Sequence, residues 1–192
     1  MPSATMRSST RKILTLTLCA MFAALTAVGA FIKIPIPHLP ITLQTFFVMM
    51  SGLLLGGTLG AASVAAYVAI GLIGIPVFTE GGGIGYVYKP SFGYLAAFIL
   101  GAFIAGKIAN AVSDPSFVRI LAACLVSTAV VYIIGMGYFF LAMNTWVGKG
   151  ITVSKLFALC FVPVFGGDIL KCLLAAFLGK RLIPLTARYR QR

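Results

Sequence analysis

Between Ile13 and Ile183 the chain is a succession of apolar runs separated by proline- and glycine-rich turns, with acids at only three positions, Glu80, Asp114 and Asp168. That pattern restricts the fold more than any other feature. A bilayer core is roughly 30 Å thick and a helix rises 1.5 Å per residue, so each crossing takes about 20 mostly apolar residues. Only 9% of the 192 residues are charged and 60% are hydrophobic, whereas a soluble domain carries about 25% charged residues. Such a chain cannot cover itself with water-compatible surface, and it reads as an integral membrane protein with no length left for a soluble domain.

The breakers divide the runs. "KIPIPHLP" removes donors and enforces an extended path, "LLLGGTLG" ends a second run, and "NAVSDPSF" is a turn. The expected fold class is all-α, one membrane domain over 1–192. Its six transmembrane helices are expected at about 13–32, 42–56, 59–78, 90–111, 118–143 and 168–183. A short outer helix is expected at about 154–164, because Pro163, Gly166 and Gly167 argue for a break before Asp168. The basic, then apolar, N-terminal segment resembles a secretory signal, but with further spans following it reads as an uncleaved first helix.

A formal charge of +12 would suggest nucleic acid in a soluble protein. Here the basic residues flank apolar runs, which is how topology is encoded, and no nucleic-acid partner is expected. With the N-terminus inside, Arg7, Arg11, Lys12, Lys107, Arg119, Lys180, Arg181, Arg188, Arg190 and Arg192 are cytoplasmic, against Lys33, Lys89, Lys149 and Lys155 outside. Both termini are therefore expected in the cytoplasm.

Helices two, four and six then all start at the outer face. Their first turns bring Thr42 with Gln44, Ser91 with Tyr94, and Asp168 with Lys171 to one depth. Residues three apart share a helix face, so Asp168 and Lys171 can pair. Asp168, after two glycines, can also cap a helix start. Two readings stand for it, a cap neutralised by its lysine or a ligand contact, since ionisable groups within a membrane usually line a cavity; one group can serve both. Thr42 is a capping or binding hydroxyl, and Gln44 can both donate and accept. In "EGGGIGYVYKPSFGYL", Tyr86, Tyr88 and Lys89 belong either to a pocket wall or to an interfacial belt. His38 reads as an interfacial loop residue.

Other chemistries find little support. Cys19, Cys124, Cys160 and Cys172 lack metal or redox spacing and read as small buried hydrophobes, with no metal expected. "GAFIAGKI" nearly matches a phosphate-binding loop, but Ile108 stands where a magnesium-binding hydroxyl belongs and the stretch lies inside an apolar helix. A single histidine and the absence of a second acid near Asp168 give no catalytic constellation. On helix one, Ala20 and Ala24, with Ala23 and Ala27 offset, form a small-residue stripe suited to close helix approach, either in internal packing or against a membrane partner.

Taken in order, "IPIPHLPITLQTFFVMMSGLLLGGTLGA", "YVAIGLIGIPVF", the glycine loop, "KPSFGYLAAF" and "VPVFGGDILKCLLA" resemble the biotin-specific S-components, the BioY family, of energy-coupling-factor vitamin transporters. The resemblance implies a six-helix protein of the cell (plasma) membrane that captures biotin from outside and carries no cofactor. It implies energisation by a separate membrane coupling (T) component and two ATP-binding-cassette ATPases, with docking through Ala20, Ala23, Ala24 and Ala27. It maps the family's acid, lysine and glutamine onto Asp168, Lys171 and Gln44. Asp168 is then expected to accept a ureido N–H, and Lys171 or Gln44 to donate to the ureido carbonyl. The anionic tail is expected to point toward Lys89 and the N-terminal ends of helices four and six. Against this stand an S-component for another vitamin, an intramembrane enzyme, and a structural scaffold that binds no small molecule.

Overall fold

The computed structural model describes the backbone of residues 4–35 and 40–190, with side chains described for 12–35 and 40–186; His38 and Arg192 lie outside the described residues. Seven α-helices are present among them: α1 (Ala4–Phe31), α2 (Gln44–Leu55), α3 (Gly57–Leu72), α4 (Phe92–Ala109), α5 (Phe117–Asn144), α6 (Val153–Cys160) and α7 (Val162–Arg190). Two short antiparallel strands, β1 (Lys33–Ile34) and β2 (Ile41–Thr42), pair Lys33 with Thr42 and Ile34 with Ile41. Parts of α1, α4, α5 and α7 are long and apolar enough to cross a membrane; α2 and α3 are shorter apolar helices.

Three helices meet where glycine is required. Gly56, in the left-handed region at φ 88°, ends α2 and starts α3, a conformation that a side chain disfavours. A Cβ on Gly52 would stand 2.1 Å from the Ala102 carbonyl oxygen of α4, and one on Gly106 would stand 2.4 Å from the Gly57 nitrogen. The "LLLGG" run thus does more than end a helix: it lets α2, α3 and α4 touch through backbone.

α3 stops at Leu72, short of the expected 78. Gly74 turns left-handed at φ 112°, Pro76 cannot continue a helix, and the chain folds back so that Gly83 N–H reaches the Gly71 carbonyl at 2.7 Å. Phe78 is thereby buried against Tyr67 and Tyr86. A single 3-10 turn, Ile84–Tyr88, follows. It is pinned to α5 by the Tyr138 hydroxyl donating to the Val87 carbonyl, and to the turn after α5 by Trp146 Nε1 donating to the Tyr88 carbonyl at 2.7 Å.

The last region corrects the expected break. α6 ends at Cys160, and after Phe161 a single helix, α7, runs through Pro163, Gly166, Gly167 and Asp168 to Arg190, with Pro184 also inside it. Pro163 is tolerated because the first-turn N–H groups have no helical partner in any case. The Phe161 carbonyl takes the first bonds of the new helix, from Val164 N–H at 3.2 Å and Phe165 N–H at 3.0 Å. Asp168 therefore lies in the second turn of α7, beyond the free N–H groups of its start, and is not its cap.

The buried apolar residues form two clusters. One gathers Tyr67, Phe78, Tyr86, Tyr94, Phe98 and Phe139 toward the end of the bundle that holds the strands and the 3-10 turn. The other gathers Phe22, Phe46, Met49, Leu53, Ile120 and Cys172 toward the opposite end. Of the buried polar residues, Gln44, Asp168 and Lys171 come together at the border between them.

Candidate functional site

At that border α2, α4, α5 and α7, with Thr42 of β2 and the 79–91 segment, enclose a cavity. Its most polar wall is built on α7. Asp168 is 6% exposed and Lys171 8%, and the two form an ion pair one helical turn apart. Lys171 Nζ also donates to the Thr42 carbonyl at 2.9 Å and to Thr45 Oγ1 at 2.8 Å. An ammonium has three protons, so all are engaged. Thr45 Oγ1 in turn donates to Asp168 Oδ1 at 3.3 Å, and the Tyr132 hydroxyl donates to Oδ2. A carboxylate offers about four lone-pair positions; with Lys171, Thr45 and Tyr132 in place, Asp168 retains room for one more donor.

Other lining groups have bonding capacity to spare. Gln44 Nε2 donates to the Tyr67 hydroxyl at 2.7 Å, and that hydroxyl donates in turn to the Val77 carbonyl at 3.2 Å. Gln44 Oε1 accepts from Thr42 Oγ1 at 3.3 Å. The side-chain amide is thus oriented, with its second N–H left over. The Tyr94 hydroxyl is buried and, among the described residues, meets no protein oxygen or nitrogen at hydrogen-bond distance; the weakly polar Cys160 thiol stands beside it. Leu95, Phe98, Val131 and Val164 supply apolar surface between the polar groups. Tyr86 closes the cavity toward the loop, held by a 3.1 Å hydrogen bond to Thr79 Oγ1, and Lys33 Nζ donates to the Thr79 carbonyl at 2.7 Å.

Six of the seven expected ligand-binding residues, Thr42, Gln44, Tyr86, Tyr94, Asp168 and Lys171, line this cavity together. Lys89 does not. Its ammonium is drawn to Glu80 Oε2 at 2.8 Å, on the solvent side, and stands 4.8 Å from the centre of the Tyr86 ring. Glu80 is the nearest acid, and the glycine turn at 81–83 folds back far enough to bring it there. The alanine stripe of α1 divides: Ala23 is buried and Ala27 partly so, whereas Ala20 and Ala24 are exposed.

Sequence reasoning missed Thr45, Tyr132 and Tyr67. A threonine on an apolar helix ordinarily bonds its own helix backbone and gives no signal. Tyr132 offered a faint one: a tyrosine deep inside an apolar run needs a partner for its hydroxyl. Among the described residues no group of three or more histidine, cysteine or acidic side chains forms a metal centre.

A polar cluster with one open acceptor position on an acid, in one cavity with an oriented amide that keeps a spare N–H and with apolar side chains, suits a small neutral ring carrying both N–H and C=O. The family model described as the BioY family matches residues 3–188. A probable biotin transporter BioY of Lysinibacillus sphaericus is 43% identical over 169 residues, covering 88% of this chain and 86% of that protein. The biotin transporter BioY of Thermotoga maritima is 37% identical, covering 86% and 93%. Among solved structures, the S-component for biotin from an ECF-type ABC transporter superposes with a TM-score of 0.76 at 29% identity, over 90% of this chain and 92% of that one. By the family match along nearly its whole length and by these identities, the chain belongs to the BioY family.

Proposed function

We propose that this chain is the biotin-binding membrane subunit of an energy-coupling-factor transporter, and that Asp168 is the centre of its ligand site. The observation that carries the reading is the buried acid with one lone pair to spare, lining one cavity with the Tyr94 hydroxyl and the spare Gln44 N–H. In the bound state a ureido N–H of biotin donates to Asp168, and its carbonyl accepts from Tyr94 or Gln44. Lys171 acts chiefly by fixing and neutralising the carboxylate, because its own protons are engaged by Thr42, Thr45 and Asp168. Leu95, Phe98 and Val131 pack on the thioether ring. The carboxylate tail runs toward Ser91 and the first turn of α4, whose positive dipole end favours an anion, and Lys89 supports Tyr86 from behind.

In this reading α1 to α5 and α7 cross the plasma membrane six times, with both termini cytoplasmic and the cavity opening outward. The short α2 and α3 are completed by the extended residues at their cavity ends. The exposed Ala20 and Ala24 form the face on which a membrane coupling component docks, and two ATP-binding-cassette ATPases supply the energy. The protein is a transporter subunit rather than an enzyme.

Radiolabelled biotin binding to the detergent-purified protein, against a panel of other vitamins, tests this. Saturable one-to-one binding displaced by unlabelled biotin alone is expected. Preference for a different vitamin would reassign the ligand, and no saturable binding to any would end the proposal.

A further inference from the structure

A second concavity lies on the far side of the Asp168–Tyr132 hydrogen bond. It runs along the flank of the bundle between α5, α6 and α7, and Thr128, Tyr132 and Asp168 contribute to both cavities. Unlike the ligand site it is almost wholly apolar, with Leu125, Ala129, Ile133 and Gly137 along α5 facing Phe157 and Phe165. Ile133, Phe157 and Phe165 are exposed, so the groove opens sideways, in the direction of the hydrocarbon.

We propose that this groove holds one acyl chain of an anionic phospholipid. The length agrees: from Leu125 to Gly137 at 1.5 Å per residue is about 18 Å, close to one leaflet's share, about 15 Å, of the hydrocarbon core. The chemistry agrees too, since an apolar concavity does not retain water and loses dispersion contacts if unfilled. A headgroup partner stands at the right level. α6 begins at Val153, directly after the turn that follows Asn144, and the exposed Tyr88 and Trp146 mark that end as interfacial. Lys155, in the first turn of α6 and next to the groove residue Leu156, is exposed and forms no ion pair among the described residues. Its charge complements a lipid phosphate, while the chain below it shields the outer side of the Asp168–Tyr132 contact from water.

Gly137 suits the test, because it lines the groove and a Cβ there meets nothing within 4 Å, so a larger side chain can enter the groove. Delipidated, detergent-purified protein is titrated with phosphatidylglycerol and with phosphatidylcholine of the same acyl chains, and bound lipid is counted by native mass spectrometry. One saturable phosphatidylglycerol is expected on the wild type. Gly137→Leu, and independently Ala129→Phe, raise the concentration for half occupancy at least tenfold while biotin binding persists, which keeps this result separate from the ligand-site proposal. Lys155→Gln lowers phosphatidylglycerol affinity to that of phosphatidylcholine. Absence of a saturable lipid, equal occupancy in both groove-filling variants, or a second copy of the chain covering the groove would overturn the proposal.

Discussion

Inside a membrane protein, a carboxylate and an ammonium each lose several kcal/mol of hydration, and Asp168 and Lys171 recover it through their mutual contact and through Thr45, Thr42 and Tyr132. Removing one charge strands the other. Lys171→Met is therefore expected to lower stability by about 3–5 kcal/mol, and adding Asp168→Asn to recover part of that loss, measured by thermal unfolding in detergent. A double variant no more stable than Lys171→Met would show that the two charges are not coupled. Tyr94→Phe removes a buried hydroxyl that, among the described residues, has only the weakly polar Cys160 thiol beside it, so its unfolding midpoint is expected to hold or rise while biotin affinity falls by a few-fold to about tenfold. Unchanged affinity would take Tyr94 out of the site. The charged pair and Gln44 were legible in the sequence because ionisable and amide groups are rare in apolar runs. Thr45 and Tyr132 were not, since their part depends on which face of α2 meets α7 and which turn of α5 lies beside it.

Among the elements, α7 decides the geometry of the site. Had it begun at Asp168, the carboxylate would have spent its lone pairs on the helix's own N–H groups. Beginning instead at Val162, the helix bonds its backbone internally by the second turn and leaves the side chain for the cavity. Pro163 and the two glycines suggested a break because each is a breaker on average, but position reverses the meaning: proline suits a first turn, and glycine costs a helix only about 1 kcal/mol. A Cβ on Gly166 meets nothing within 4 Å, so Gly166→Ala is expected to raise stability by up to about 1 kcal/mol, seen as a higher unfolding midpoint. A lower midpoint would place a bend there after all. Gly52→Ala is the opposite case. With the Ala102 oxygen 2.1 Å from its Cβ position, it is expected to destabilise by roughly 1–3 kcal/mol through forced separation of α2 and α4.

For the whole molecule, membrane class and helix order were readable from hydropathy and breakers, because the lipid's demand for satisfied backbone leaves so few alternatives. The convergence of Thr42, Gln44, Tyr94, Asp168 and Lys171 was expected from alternating helix direction, although Asp168 and Lys171 reach the cavity from the second and third turns of α7 and not from its start. The pairing of Lys89 with Glu80 did not, because it depends on how a glycine-rich loop folds back. Docking belongs to this scale: Ala24→Trp, on an exposed face of α1, is expected to leave biotin binding intact and to block energised uptake in cells with the coupling complex, and normal uptake would move the docking face elsewhere. The most direct test of the site is a cycle of two proteins and two ligands, in which biotin and biotin methylated on its ureido nitrogens are each titrated against wild type and Asp168→Asn. A charge-assisted hydrogen bond of roughly 1.5–3 kcal/mol predicts that wild type prefers biotin by an order of magnitude or more and that Asp168→Asn loses most of that preference. Equal discrimination by the two proteins would contradict the assignment of Asp168 to the ligand's N–H.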